Sequence, residues 1–261
     1  MNVEDRVLVD LHRAAALSGR PGIAVPSIDL QESIRRVGRP GAKSAFSRLG
    51  HAGRVVAIRR DLALLPDSTG LIHLGVPDLV GVVAPTLHLI TGGRALEASS
   101  LTDQHFFTTV VLTARPTREL SFRGERAVFL PTTPGRIWGW QEGGPHYATA
   151  ERAIVDVINH PRYGVPLALA LSALCQAVER DSGFLAHLTD AVRRYNSPAA
   201  AQRIGLLIER LFGENAAAPF RELIGVRRLP VPLRPNGSDS GDIDRKWKVL
   251  VNATTEPERK P

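Results

Sequence analysis

The chain has almost no cysteine: Cys175 stands alone in 261 residues, so neither a disulfide framework nor a cysteine-based zinc site can form. Its place between Leu174 and Gln176 reads as helix packing rather than as a nucleophile. Lysine is nearly as scarce, at Lys43, Lys246, Lys248 and Lys260. None of the four sits in the Asp … Glu-x-Lys setting that a restriction-type nuclease uses to hold its metal. No stretch reaches the ~18 consecutive apolar residues of a membrane span. The opening "MNVEDRVLVDLHRAAALSG" places Glu4, Asp5 and Asp10 inside its apolar pattern, unlike a secretory leader. These features lead to the expectation of a cytoplasmic protein with no membrane partner.

Acidic residues are missing from one segment in particular. Between Leu30 and Arg60 stand Arg35, Arg36, Arg39, Lys43, Arg48, Arg54, Arg59 and Arg60 against a single acid, Glu32. That segment carries +7, the net charge of the whole chain, so the other residues balance to zero. A local basic excess on an otherwise neutral chain suggests a face for a polyanion.

The apolar spacing around this segment predicts three helices and a hairpin. Val3, Val7, Leu8, Leu11 and Ala15 line one helix face, and "GRPG" at 19–22 ends it. Ser27 or Asp29 can cap a second helix, Leu30 to Val37. "GRPG" at 38–41 makes the turn, and a third helix follows with Ala42, Ala45, Phe46 and Leu49 on its apolar side. "RVVAIRRDLALLP" then reads as a strand over 54–58, a turn at 59–61 and a returning strand over 62–65. Residues 1–66 are therefore expected to form a winged helix-turn-helix, whose third helix enters the major groove. Lys43, Ser44, Ser47 and Arg48 fall on that helix's polar face. Arg39 precedes its N-terminus, where a phosphate is favoured. Arg54, Arg59 and Arg60 belong to the wing.

Residues 67–235 are expected to hold a small mixed α/β unit followed by a helical bundle, giving an α+β chain. "PDLVGVVAPTLHLITGGRALEASSLTD" reads as one or two helices broken at Pro85 and Gly92-Gly93. Strands follow at 106–114, at "TRELSF" and "RAVFLP" around Gly124, and at "RIWGWQEG", where Trp138 and Trp140 would share a face. His73, His88 and His105 lack metal-ligand spacing, so no metal or other cofactor is expected.

"ATAERAIVDVINHPRYG" places Glu151, Arg152, Asp156 and His160 within ten positions and could be taken for an active site. A structural reading suffices: Thr149 caps the helix, Glu151 suits its first turn, and Arg152 and Asp156 form an exposed i,i+4 pair. His160 lies past the helix end. No catalytic residue is assigned. Further helices are expected over 166–179, 184–195, 198–212 and 219–224. Residues 236–261 read as an extended tail, disordered from 253, in which "RKWKVLVN" could be a docking strand.

The succession of "VVAIRRDLALLP", "ITGGRALEASSLTD", "ATAERAIVDVI" and "AAAQRIGLLIE" resembles the AbiEi family over nearly the whole chain. It departs from that family's pattern at Asp61, Leu64, Ala150 and Leu207. The resemblance implies an antitoxin of a type IV toxin–antitoxin pair that represses its own operon and opposes a nucleotidyltransferase-like toxin. Operator DNA, with dimerisation on operator repeats, and the toxin are the implied partners. Two alternatives stand beside it: a ligand-sensing winged-helix regulator without a toxin, and a winged helix joined to an enzyme domain.

Overall fold

The computed structural model describes residues 2–225 and 229–258. It is a mixed α+β chain, with ten α-helices and three small sheets among the described residues. Two compact units are present. The first comprises residues up to 79 together with 120–123; the second comprises 80–119 and the chain from 124 onward. Residue 66, where the sequence suggests a boundary, falls inside the first unit.

The first unit opens with α1 (Val3–Leu17). The Asn2 side chain accepts the Asp5 N–H at 2.8 Å, and Glu4 and Asp5 occupy the first turn, where the helix dipole favours acids. A two-residue strand, β1 (Ile23–Ala24), follows and pairs antiparallel with β3 (Leu62–Leu64). It is too short to show any alternation in the sequence. The capping expected at Ser27 or Asp29 takes another form. Residues Pro26–Asp29 make a short helix of their own, α2, and Asp29 is buried, taking Arg20 Nη2 at 3.0 Å and the Val25 N–H at 2.7 Å.

Next comes α3 (Gln31–His51), broken at Gly38, whose φ of 74° interrupts the helical geometry. The turn expected over 38–41 is thus one residue long. Glycine reaches a positive φ without steric penalty, and Pro40 sits in the new first turn, where no amide hydrogen is required. Ala45 and Leu49 of the second segment are buried against Val7, Leu11 and Ala15, and Ala42 is buried beside them in sequence. Two antiparallel strands, β2 (Val56–Arg59) and β3, meet across a turn at Arg60-Asp61, giving the sheet order β1-β3-β2.

The boundary between the units falls within α4 (Val76–Val83). The sequence suggests only helix across the following segment, but His88–Thr91 form β4, buried at every position. A four-residue strand buried on both faces, two of its side chains polar, lacks the period of two that marks a half-exposed strand. After α5 (Gly93–Ala98), β4 pairs antiparallel with β5 (Thr108–Thr113). A short strand, β6 (Leu120–Phe122), leads through Arg123-Gly124 into β7 (Glu125–Pro131), which runs parallel to β5. The strand expected at "RIWGWQEG" is absent. Pro134–Arg136 form a 3₁₀ turn, Trp138 is buried, and Trp140 is partly exposed, stacks on His146 and makes an isolated bridge to Ala148.

At the centre of the second unit is α6 (Ala150–Asn159), buried on all sides from Arg152 onward. Around it pack α7 (Leu167–Arg180), α8 (Phe184–Tyr195) and α9 (Pro198–Phe212), with α10 (Glu214–Glu222) against α9. That last helix begins five residues before the expected start at Pro219.

The expected tail joins this core through Ala253. Val231–Pro232 (β8), Asp242–Asp244 (β9) and Val249–Val251 (β10) form a sheet of order β8-β10-β9. Trp247 is fully buried and donates Nε1–H to Glu209 at 2.9 Å. It presses so closely on α9 that a Cβ on Gly205 would lie 2.1 Å from its ring. "RKWKVLVN" is therefore an internal strap. Ser172 Oγ and the Glu258 N–H tie residue 258 to α7, against the expected disorder from 253; residues 259–261 lie outside the described chain.

Candidate nucleic-acid interface

The second segment of α3 presents Lys43, Ser44, Ser47 and Arg48 to solvent, opposite its buried face. Arg39 is exposed at its start, beside Gly38, and Arg60 is exposed at the hairpin tip. The sequence groups these six with Arg54 and Arg59 by helix face and hairpin position, and the structure separates the charged ones by their partners. Arg48 pairs with Glu4 and also donates to Ser44 Oγ at 2.7 Å. Arg54 pairs with Asp5 at 2.8 Å, and Arg59 with Asp61 at 2.8 Å. Glu32 holds both Arg35 and Arg36. The Arg36 hydrogen bond, above all, keeps the Glu32 carboxyl below its ordinary value.

Arg39, Lys43 and Arg60 remain. Among the described residues they make no ion pair, and all three line one groove of about 620 Å³. Ile34 and Phe46 form its apolar wall. Phe46 packs against the same core as Ala45 and Leu49, but it is only half-buried and also borders the groove. The groove opens beside the start of the second α3 segment, where unpaired amide hydrogens and the helix dipole favour an anion.

Two of the neutralising acids come from far along the chain, Glu4 and Asp5, 44 and 49 residues before their partners, and Asp61 lies just past the segment. A charge count over 30–60 cannot include them. Exposed pairs of this kind contribute only ~0–1 kcal/mol, so they compete weakly with a phosphate while offsetting part of each arginine's charge.

The residues of "ATAERAIVDVINHPRYG" lie in the second unit. Thr149 starts α6 without a side-chain capping bond. Glu151 makes no ion pair among the described residues and does not join the others. Arg152 and Asp156 do meet, at 3.0 Å, but both side chains are only 1% exposed, so the expectation of an exposed pair is wrong. Arg152 is held by the Arg136 carbonyl at 3.0 Å and stacks 4.4 Å over the Trp138 ring. The Thr91 hydroxyl donates to Asp156 at 2.7 Å. The loop over 136–140 covers the helix face that periodicity assigns to solvent. His160, at the end of α6, shares a hydrogen bond of 2.6 Å with the Tyr195 hydroxyl.

Cys175 is half-buried, and burial pushes its thiol above the ordinary value. No group of three or more metal-ligating side chains occurs among the described residues, and no helix there is long and apolar enough to cross a membrane.

No family model matches the chain, and no curated protein matches it. In structure the chain is similar to the RV2827C protein from Mycobacterium tuberculosis, with a TM-score of 0.62 and 14% sequence identity over 95% of this chain and 90% of that one. At that identity the likeness concerns the fold.

Proposed function

We propose that this protein is a DNA-binding autorepressor that also serves as the antitoxin of a nucleotidyltransferase-like toxin in the cytoplasm. The first unit is read as a winged helix, from its order α1-β1-α2-α3-β2-β3. The second segment of α3 enters the major groove, and the β2–β3 hairpin lies along the backbone. The observation that carries this reading is the convergence of Arg39, Lys43 and Arg60 on one groove beside the start of that segment. Unpaired cations at a helix N-terminus suit phosphate contacts, which set register on the duplex. The exposed Ser44, Ser47 and Arg48 are then placed to meet base edges. Two copies on repeated half-sites would supply the affinity that one small module lacks.

The antitoxin half of the proposal rests on the order of the four motifs that resemble AbiEi. No catalytic role is proposed for Arg152, Asp156 or Glu151. The test of DNA binding is anisotropy titration of a duplex from upstream of the coding sequence. Arg39→Glu with Lys43→Glu is expected to abolish binding while the melting temperature stays unchanged; binding like wild type would overturn the reading. The antitoxin half is tested by co-expression with the product of the neighbouring gene. The full chain carrying Arg39→Glu and Lys43→Glu is expected to rescue growth without repressing a promoter reporter. A second reading, a regulator that senses a small ligand, is favoured by one observation, the polar pocket beside Asp156.

A further inference from the structure

We infer that the second unit holds a binding site for a small hydroxylated oxyanion, built where the buried Arg152–Asp156 pair of α6 meets Arg136 and Arg162. A pocket of about 170 Å³ lies there, between α6, the end of β7 and α8, and is lined by Arg136, Arg152, Asp156, His160, Arg162 and Tyr195. Leu112 and Leu130 close it from the sheet side.

The floor is a buried carboxylate with one oxygen unmet. Asp156 is fully buried. Its Oδ2 accepts from Thr91 Oγ1 and from Arg152 Nε, at 2.7 and 3.0 Å. Its Oδ1 is buried and has no hydrogen-bond partner among the described residues. A buried acceptor left unpaired costs ~1–3 kcal/mol and is rare in folded proteins. The pairing of Arg152 with Asp156 accounts for Oδ2 alone. A hydroxyl or ammonium donor entering the pocket accounts for Oδ1.

The mouth carries the opposite demand. Arg136 and Arg162 are exposed and make no ion pair among the described residues; their guanidinium groups lie 5.0 Å over the Tyr195 ring and 5.9 Å over the Tyr163 ring. Three guanidinium groups thus face one carboxylate, leaving a local charge of about +2 for an anion to balance. Arginine forks match the planar geometry of carboxylate and phosphate oxygens. His160 adds no charge at neutral pH. Burial pushes its pKa down, opposed by Asp156 and reinforced by Arg162, Arg136 and Arg152. Its Nε2 remains fixed by the Tyr195 hydroxyl.

Size narrows the class. The pocket holds the volume of roughly five or six waters at ~30 Å³ each. That suits a three-carbon organic acid: a phosphate ester or carboxylate at the mouth on Arg136 and Arg162, and a hydroxyl within reach of Asp156 Oδ1. The inference uses the second unit only, so it stands or falls apart from DNA binding by the first.

Calorimetric titration of the full chain tests it with four probes: glycerol 3-phosphate, glycerate, inorganic phosphate and glycerol. Saturable binding of glycerol 3-phosphate or glycerate is expected, and which of the two binds tighter identifies the oxyanion. Inorganic phosphate and glycerol should each bind roughly 10- to 100-fold more weakly than that probe, because glycerol lacks the anion and inorganic phosphate carries its P–OH donor on the charged centre itself, with no carbon chain to reach from the mouth to Asp156. Arg136→Ala and Arg162→Ala, both at exposed positions, should each weaken binding by a similar factor with no change in melting temperature. Asp156→Asn should erase the preference over inorganic phosphate; if that variant does not fold, the ratio of the two probes on wild type carries the same information. No saturable binding of either organic acid at millimolar concentration overturns the inference. So does equal affinity for inorganic phosphate, or wild-type binding by both arginine variants; the pocket would then hold water alone.

Discussion

Replacing Asp156 by alanine leaves a guanidinium stranded inside the protein. Arg152 is 1% exposed, packed against Trp138, and has Asp156 as its only acidic partner among the described residues. An exposed i,i+4 pair on a helix contributes about 0.3–0.5 kcal/mol, whereas removing one member of a buried pair costs about 3–5 kcal/mol, because the remaining charge has no solvent to turn to. The Thr91 hydroxyl also loses its acceptor. At ~2–4 °C per kcal/mol for a chain of this size, the melting temperature should fall by roughly 6–20 °C. Thermal unfolding followed by circular dichroism reads this directly. The double variant Arg152→Met with Asp156→Ala should recover much of the loss, since removing both charges relieves the stranded one. A fall of less than about 2 °C in Asp156→Ala would refute the reasoning. So would additive losses in the double variant.

Gly205→Ala should destabilise the C-terminal strap, because its Cβ would meet the Trp247 ring at 2.1 Å. Overpacking of this kind costs ~1–3 kcal/mol, and limited proteolysis should show earlier cleavage after residue 229; adding Trp247→Leu should restore resistance. Stability should also fall as pH drops from 7 toward 5. Burial is the main cause lowering the pKa of His12, His88 and His160 from the ordinary 6.5. The unfolded chain then binds more protons than the folded one below that value, so stability is complete above about 6.5 and declines beneath it. The lowered carboxyls of Glu32 and Glu97 act only at more acid pH. His88→Asn should flatten the decline in melting temperature between pH 7 and 5, and an unchanged slope would contradict this account.

The sequence shows its long helices well. Four of the five helices from α6 to α10 follow their apolar spacing to within a few residues, and the turn at Arg60-Asp61 stands where its polar residues place it. What it hides has common physical causes. β1 and β4 are two and four residues long and fully buried, so neither carries a period. Arg152 and Asp156 look solvent-facing by helical spacing, because the loop that buries them is not helical and lies 12–16 residues earlier in the chain. The strap around Trp247 hides behind a Pro-, Gly- and Ser-rich composition that suggests disorder, while its partner, Gly205, is a small residue in a helix with no local reason to be one. The basic face was legible as a charge excess. Its division into paired arginines and the unpaired Arg39, Lys43 and Arg60 depends on Glu4 and Asp5, which approach only in the folded unit.

That division is the most direct test of DNA binding by the first unit. Each phosphate neutralised by an unpaired cation releases counterions and steepens the salt dependence of affinity by about 0.9 in log–log slope. Binding to the upstream duplex should be titrated against salt for wild type, for Arg39→Ala/Lys43→Ala/Arg60→Ala, and for Arg48→Ala/Arg54→Ala/Arg59→Ala. The account predicts that the first triple variant flattens the slope by about 3 per bound copy. The second should flatten it distinctly less, since its arginines already hold Glu4, Asp5 and Asp61. Equal losses in the two variants, or a larger loss in the second, would contradict it.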